Sequence, residues 1–297
     1  MKKGLIVLNS YRDLNQNKYK VDRLKEEFSK FSIGLDVLKS TQLNIVLKDG
    51  KVSIPSIDGY SFCIYLDKDE IVARLIENKI PLFNSASALI KCNDKMKTYM
   101  ELIGSGIKTP KTIPSRICFR ENEYEISKNK EYLDNIEKEL SFPLICKCNY
   151  GSLGLQVFLI SNRKELEKTY DKLKLQPHFY QEFISSSRGK DYRIFTINHK
   201  VQAYMLRVNK NDFRSNIALG GEGILTPPPS SFIETAEKIS RILDLDYAGI
   251  DILLGENNTP ILSEVNSNAF FNEIEAVSKV NITEKLVEHI MSKIQLD

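Results

Sequence analysis

The chain has 297 residues, of which 42% are apolar and 27% charged, so we expect two or three globular domains. Its 42 basic and 39 acidic residues give a net charge of only +3, which argues against general binding to nucleic acids or membrane surfaces. Apolar runs are shorter than the ~20 residues of a membrane span, and the run after the N-terminal lysines is too short for a signal peptide. The five cysteines form no dense framework, which favours a reducing compartment, and we expect a cytoplasmic protein.

Residues 1–93 alternate between strand and helix signals. Short apolar runs at 5–8 and 62–66 are typical of strands that are buried on both faces. Apolar residues spaced by three and four over 21–31 indicate an amphipathic helix. The pattern predicts a small α/β domain with a mostly parallel sheet.

The next domain is predicted over residues 94–184. Asn93 or Asp94 is expected to cap a helix that carries Met96, Tyr99, Met100 and Ile103 on one face, and the first three of these are expected to belong to the core. A polar segment follows. It leads into a charged helix near 130–140 and then into alternating strand, helix and strand signals.

Antiparallel strands dominate the third predicted domain, residues 185–297. Strands at 191–197 and 201–208 flank a hairpin turn. Ser231 and Glu234 match a capping box, which predicts a helix that continues to Leu243. Further strands are expected at 247–254 and 261–266, and an amphipathic helix closes the chain.

The sharpest chemical feature lies on the last two predicted strands. If their hairpin is centred on residues 257–258, Asp251 lies directly opposite Glu264. Asn266 faces the same side as Glu264, because side chains alternate along a strand. Two adjacent carboxylates and an amide oxygen favour Mg²⁺ or Mn²⁺. The alternative is an acidic, solvated hairpin face, since the register is assumed.

A lysine followed by glycines forms a second candidate feature. Lys147 lies on the strand predicted at 144–148 and precedes Gly151, Ser152 and Gly154, which belong to a loop whose backbone is suited to approach phosphate oxygens. A plain glycine-containing hairpin is an equally good interpretation of these residues.

Positive side chains form a third feature. Arg193 and Arg207 lie on predicted strands, whereas Arg214 lies with Ser215 and Asn216 in a loop before a glycine-rich segment. Such a loop is suited to hold an anion, and a solvated loop is the alternative.

Taken in order, eight short segments resemble the ATP-grasp carboxylate–amine ligases, in particular the RimK-like (alpha-L-glutamate ligase) branch. The segments are residues 93–95, 109–112, 142–147, 181–184, 189–193, 212–216, 249–253 and 264–266. The resemblance implies an α/β plus α+β protein with the ATP-grasp fold. An N-terminal parallel-sheet α/β domain would precede two α+β lobes that hold ATP between them.

The resemblance also implies roles for individual residues. ATP would be bound by Lys95, Lys147, Gly151, Ser152, Gly154, Gln181, Glu182, Phe183, Ile184, Asp191, Arg214, Ser215 and Asn216. The catalytic arginines would be Arg193, Arg207 and Arg214, and the ligands of two Mg²⁺ (or Mn²⁺) ions would be Asp251, Glu264 and Asn266.

The chemistry that the family implies joins a carboxylate to an amine. The carboxylate attacks the γ-phosphate of ATP to give an acyl phosphate and ADP, and the amine then displaces phosphate to give an amide. The expected partners are a small-molecule or peptide carboxylate and an amino-acid-like amine. Protein-borne or carrier-borne substrates and a homo-oligomer stay open, whereas nucleic acid and membrane are not expected. Alternatives are a non-catalytic ATP-binding module and a ligase that acts on a cofactor or natural-product peptide.

One departure from the family pattern follows the predicted metal ligands. RimK-like relatives often have a small residue, Pro and Gly there, whereas this chain has the bulky Phe270 and Phe271. If either ring faces the acceptor pocket, it narrows the space for an acidic side chain. We therefore expect that free glutamate is not the preferred amine.

Overall fold

The computed structural model describes residues 2–11 and 14–294, so residues 1, 12–13 and 295–297 of the predicted domains lie outside the described part. Three main sheets and one small hairpin carry the fold. Among the described residues, no helix is long and apolar enough to cross a membrane.

The N-terminal unit is a four-stranded parallel sheet with the order β2-β1-β5-β6, beside a short β3–β4 hairpin. Its apolar runs form strands because neighbouring elements cover both faces, and all five residues of β5 are buried. The elements are β1 (Lys3–Leu8), α1 (Leu14–Ser29), β2 (Gly34–Lys39), β3 (Val46–Lys48), β4 (Lys51–Ser53), β5 (Phe62–Leu66), α2 (Glu70–Glu77), β6 (Leu82–Phe83) and α3 (Ala86–Asn93).

The central unit is an antiparallel sheet with the order β7-β10-β8-β9, covered by two helices. A further helix, α4 (Lys95–Glu101), precedes this sheet in the chain. It is capped by Asp94, whose carboxylate accepts from the backbone N–H groups of Met96 and Lys97. The elements are α4 (Lys95–Glu101), β7 (Thr112–Pro114), α5 (Lys130–Leu140), β8 (Leu144–Cys148), β9 (Val157–Ile160), α6 (Arg163–Leu173) and β10 (His178–Glu182).

The C-terminal unit is a five-stranded antiparallel sheet with the order β13-β12-β11-β14-β15. Its long central strands alternate side chains between two apolar layers, one facing α7 and the other facing α8 and α9. The elements are β11 (Lys190–Ile197), β12 (Lys200–Val208), β13 (Glu222–Ile224), α7 (Ser230–Ile242), β14 (Tyr247–Leu254), β15 (Pro260–Asn266), α8 (Asn272–Ser278) and α9 (Ile282–Ile294).

Apolar cores connect the three units across the predicted boundaries. One cluster joins the N-terminal sheet and α1 to the C-terminal helices, and another joins α3 and α4 to the C-terminal sheet. The central sheet keeps a core of its own. The domain boundaries after residues 93 and 184 therefore stay a prediction.

Two local predictions were wrong. Met100 is 62% exposed, because of the three predicted core residues only Met96 and Tyr99 pack into the core. Ile103 is 80% exposed and lies beyond the end of α4 at Glu101. The predicted capping box is absent, since α7 begins at Ser230 directly after Pro229 and has no side-chain cap.

Candidate functional site

Asp251 and Glu264 are cross-strand neighbours on β14 and β15, as the sequence predicts. The hairpin turn itself is one residue out of the assumed register, since Leu254 pairs with Pro260. A register shift next to Asp251 then restores the assumed pairing at the acidic residues. Asn266 follows two positions after Glu264 and lies opposite Gly249.

Two arginines hold the buried carboxylate of Asp251. Arg193 donates from Nη2 to Oδ2 of Asp251 at 2.8 Å and from Nε to the other carboxylate oxygen. The Nη2 atom of Arg207 lies 2.9 Å from Oδ2 of Asp251, and Arg207 also binds Asp191 through two hydrogen bonds. All four residues share the centre of the C-terminal sheet, because β11 lies between β12 and β14.

The charges of this cluster set its protonation. Burial acts to raise the pKa of Asp251, but the guanidinium groups of Arg193 and Arg207 outweigh it and hold the pKa below its usual value. Asp251 is therefore ionised at neutral pH. The carboxylate of Asp191, which the family resemblance implies as an ATP-binding residue, is occupied here by Arg207.

Two buried lysines from the other side of the cleft face this acidic hairpin. The Nζ atom of Lys95 lies 3.4 Å from Oε1 of Glu264 and donates to the carbonyl oxygen of Gly151 at 3.1 Å. The Nζ atom of Lys147 lies 3.4 Å from Oγ of Ser263. Burial lowers the pKa of Lys147 to about 8.

A cavity of about 100 Å³ lies between the central and C-terminal sheets. It brings together most of the predicted ATP-binding residues, namely Lys95, Lys147, Gly154, Gln181, Glu182, Phe183, Ile184, Asp191, Arg214, Ser215 and Asn216. The rings of Phe183 and Phe213 meet edge to face, with centroids 6.5 Å apart. Gly151 and Ser152 lie outside this cavity and line a second, larger cavity instead.

Gln181 and Glu182, at the end of β10, hydrogen-bond to neighbouring groups of the protein. The amide of Gln181 is buried and donates to Tyr99 and Thr112, and the carboxylate of Glu182 accepts from the backbone of Lys111. Their predicted role in nucleotide binding stays a prediction.

A larger cavity of about 430 Å³ lies on the other side of the acidic hairpin. Its N-terminal wall is formed by segments that follow β1, β5 and β6, which is the edge where parallel sheets commonly bind ligands. The two cavities share four wall residues, and these are Arg207, Asn216, Asp251 and Glu264. Arg207 and Asp251 also belong to the charged cluster, which is formed by Arg193, Arg207, Asp191 and Asp251. The charged cluster therefore lies where the two cavities meet.

The two phenylalanines after the metal candidates have different environments. Phe271 is 1% exposed and packs against Phe195 and Tyr19 within the core. Phe270 is half-buried and contributes to the wall of the larger cavity, as Phe271 also does at its edge.

Sequence reasoning missed the contribution of α1 to this cavity. Asn17 and Lys20 are buried there and line it, together with Asn268 from the segment after β15. The sequence offered one signal for this contribution: Lys20 precedes Leu24 by four residues and therefore lies on the same, inward face of the helix. It showed that Lys20 faces inward without showing what it meets.

The predicted metal ligands Asp251, Glu264 and Asn266 offer the oxygen atoms that a hard divalent cation prefers. Both carboxylate oxygens of Asp251 already contact Arg193, and Oδ2 also contacts Arg207, so Mg²⁺ would share this carboxylate with the arginines. The Nδ2 atom of Asn266 is buried and has no hydrogen-bond partner among the described residues. No cluster of three or more His, Cys, Asp or Glu occurs in the described part of the chain. The predicted metal ligands do not form such a cluster, because they comprise two carboxylates and one amide.

The profile of the RimK-like ATP-grasp domain matches residues 92–290, which is most of the chain. The chain belongs to the RimK-like ATP-grasp family. This RimK-like chain is 32% identical over 214 residues to a probable alpha-L-glutamate ligase of Rhodopirellula baltica, covering 71% of the chain but 50% of that relative. An uncharacterised protein of Mycoplasma genitalium is 26% identical over 293 residues, covering 98% of the chain and 100% of the relative.

Solved structures share the fold. D-alanine–D-alanine ligase of Bacillus anthracis superposes with a TM-score of 0.74 and 14% identity, covering 99% of this chain and 98% of that one. The ATP-grasp ligase PsnB, solved with a phosphomimetic variant of its minimal precursor, Mg and ADP, gives a TM-score of 0.69 and 16% identity over 98% of each chain. The ATP-grasp fold expected from the sequence is thus confirmed. The chain spans about half the length of the first curated relatives that it matches.

Proposed function

We propose that this protein is an ATP- and Mg²⁺-dependent ligase that joins a carboxylate to an amine through an acyl phosphate. The meeting of the two cavities at the charged cluster carries the proposal, because it provides adjoining spaces for nucleotide and acceptor. We call the place where the two cavities meet the junction. A phosphoryl group transferred at the junction would pass from one cavity to the other without leaving the protein.

In the first step, an oxygen of the donor carboxylate attacks the γ-phosphorus of ATP, and ADP leaves. Lys95 and Lys147, which line the smaller cavity, would neutralise phosphate oxygens. Arg207 and Arg193 neutralise Asp251, which keeps a buried carboxylate ionised beside the reacting groups. Asp251, Glu264 and Asn266 would hold Mg²⁺, which supplies charge neutralisation for the phosphoryl group when bound.

In the second step, the nitrogen of the amine attacks the acyl carbon, phosphate leaves, and the nitrogen loses a proton. Water in the junction would instead hydrolyse the acyl phosphate. The loop of residues 151–155 closes one side of the junction, since Lys95 binds the carbonyl oxygen of Gly151 and Arg214 binds that of Gly154. This loop would exclude water during the reaction.

The relatives support a substrate class rather than a particular substrate. Their names include an alpha-L-glutamate ligase and an N-acetylaspartylglutamate synthase, and PsnB was solved with a peptide precursor. We propose a small-molecule or peptide carboxylate as donor and an amino-acid-like amine as acceptor. All five cysteines are unpaired, which agrees with the expected cytoplasmic location.

The proposed function is tested by ADP release from purified protein with ATP, Mg²⁺ and panels of amino acids and short peptides, followed by mass spectrometry of the product. We expect ADP release that requires both a carboxylate and an amine. Glu264→Gln keeps the shape of the side chain but removes a metal-binding charge, so turnover is expected to fall at least about 100-fold while the melting temperature changes little. Glu256→Gln, an exposed residue of the same hairpin, is the matched control and should retain full turnover. Normal turnover of Glu264→Gln at low Mg²⁺ would contradict the metal site.

A further inference from the structure

Lys20 is a buried lysine to which the reaction described above assigns no role. It lies on α1, is 2% exposed and contributes to the wall of the larger cavity. The side chain comes from the N-terminal unit, yet its ammonium group reaches the segment that follows the metal candidate Asn266.

The surroundings of this ammonium group contain neutral acceptors only. Nζ of Lys20 donates to Oδ1 of Asn268 at 2.8 Å and to the carbonyl oxygen of Ala269 at 3.0 Å. It also lies 5.0 Å from the ring centroid of Tyr247 and 5.4 Å from that of Phe271. No carboxylate of residues 2–11 and 14–294 forms an ion pair with it, and burial lowers the pKa of Lys20 to about 7.

Two amide side chains line the same cavity. Asn17 is 4% exposed and lies one helical turn before Lys20. The Nδ2 atom of Asn266 is buried and has no hydrogen-bond partner among the described residues. A buried charge without a counter-ion in the described part of the chain and a buried donor without an acceptor cost free energy, which an anionic ligand with two oxygen acceptors would recover.

We propose that Lys20, assisted by Asn17, binds a carboxylate of the substrate that does not take part in the reaction. The inference rests on the proposed ligase function and adds the group that selects the substrate. Arg193 and Arg207 are occupied by Asp251 and Asp191, so the reacting end of the cavity already has its charges paired. Lys20 provides a cation whose counter-ion arrives with the ligand.

The second carboxylate belongs either to the amine substrate or to the carboxylate donor. Both sources share the same chemistry, and separate arms of one experiment distinguish them. In one arm, the non-reacting carboxylate of the accepted amino acid is replaced by a primary amide. In the other arm, the same replacement is made on the donor.

The test compares Lys20→Met with Lys25→Met, an exposed lysine five residues further along the same helix. Lys20→Met keeps the apolar stem and removes the charge. We expect the KM for the substrate with the second carboxylate to rise about 10- to 100-fold, while the KM for ATP stays unchanged because Lys20 does not line the nucleotide cavity. The wild type should discriminate strongly against the amidated substrate, and Lys20→Met should lose this discrimination. Lys25→Met should behave as the wild type.

Asn17→Ala provides a second variant that keeps the ammonium group. We expect a smaller increase in the same KM, about 3- to 10-fold, in keeping with the loss of one neutral hydrogen bond. If Lys20→Met changes the KM values of acid and amide equally, Lys20 only holds the segment 267–269 in place and the proposal is wrong. If the wild type releases no ADP with any pair of substrates, the proposed function fails and the inference fails with it.

Discussion

Lys147 shows how burial tunes a single residue of the site. Its ammonium group lies inside the cleft beside Ser263, and burial lowers its pKa from 10.5 to about 8. The charged form therefore destabilises the fold below about pH 8, and this cost disappears as the pH rises towards 10.5. A phosphate group in the cleft reverses the preference, because it stabilises the charged ammonium.

We expect ATP to bind more weakly at about pH 9 than at about pH 7, since the neutral amine offers the phosphates no charge. Lys147→Met should weaken ATP binding about 10- to 100-fold at neutral pH and remove most of the pH dependence. Calorimetry at both pH values measures each effect, with Lys164→Met, an exposed lysine of α6, as the control. An equal affinity of wild type and Lys147→Met at neutral pH would contradict the contact with phosphate.

At the scale of elements, the loop between β8 and β9 closes the cleft through its backbone. Arg214 donates from Nη1 to the carbonyl oxygen of Gly154 at 2.7 Å, across from the C-terminal unit. Gly154 has a φ of +73°, and a Cβ atom there would lie 2.7 Å from Oδ1 of Asn216. The left-handed backbone therefore favours glycine, and any larger residue would also have to displace the side chain of Asn216, a predicted ATP-binding residue.

Gly154→Ala is expected to hold the loop away from Arg214 and to weaken ATP binding several-fold. The control is Gly50→Ala, which has a similar φ of +71° but open space around it. Both substitutions should cost about 1–2 kcal/mol of stability through the left-handed backbone. Only Gly154→Ala should change the dissociation constant of ATP, as measured by calorimetry. A matching change in both variants would show that backbone strain, and not the contact across the cleft, causes the effect.

At the scale of the whole molecule, Asn84 joins the N-terminal and C-terminal units. It is fully buried directly after β6, and its Nδ2 atom donates to the carbonyl oxygens of Tyr247 and Ser267. Its Oδ1 atom accepts from the backbone N–H of Tyr247. Ser267 follows the metal candidate Asn266, so one side chain connects the two units directly beside the site.

Asn84→Ala would leave three buried backbone groups without partners. We expect a loss of about 3 kcal/mol or more in the free energy of unfolding, since each such group costs about 1–3 kcal/mol. Denaturant titration measures the loss. Asn78→Ala, an exposed asparagine of the same unit, should change stability by less than about 1 kcal/mol. A small effect of Asn84→Ala would mean that the hydrogen bonds of Asn84 contribute little to holding the two units together.

The local elements and the acidic pair could be predicted from residue patterns alone. Helix α5 and strands β8 and β14 have the predicted bounds, because apolar periodicity and continuous apolar runs are local properties. The pairing of Asp251 with Glu264 was predicted correctly from an assumed turn centre that the structure corrects. The shifted register next to Asp251 is a property of the folded sheet, and no residue pattern in the hairpin announced it.

The lining of the larger cavity depends on contacts between segments that are distant in the chain. Lys20 and Asn268 lie 248 residues apart in the chain and meet because α1 packs against the segment after β15. The exposure of Met100 and Ile103 likewise depends on where α4 ends and on what covers it. Periodicity shows which face of an element is apolar, whereas the partner of that face is set by packing between elements that are distant in the chain.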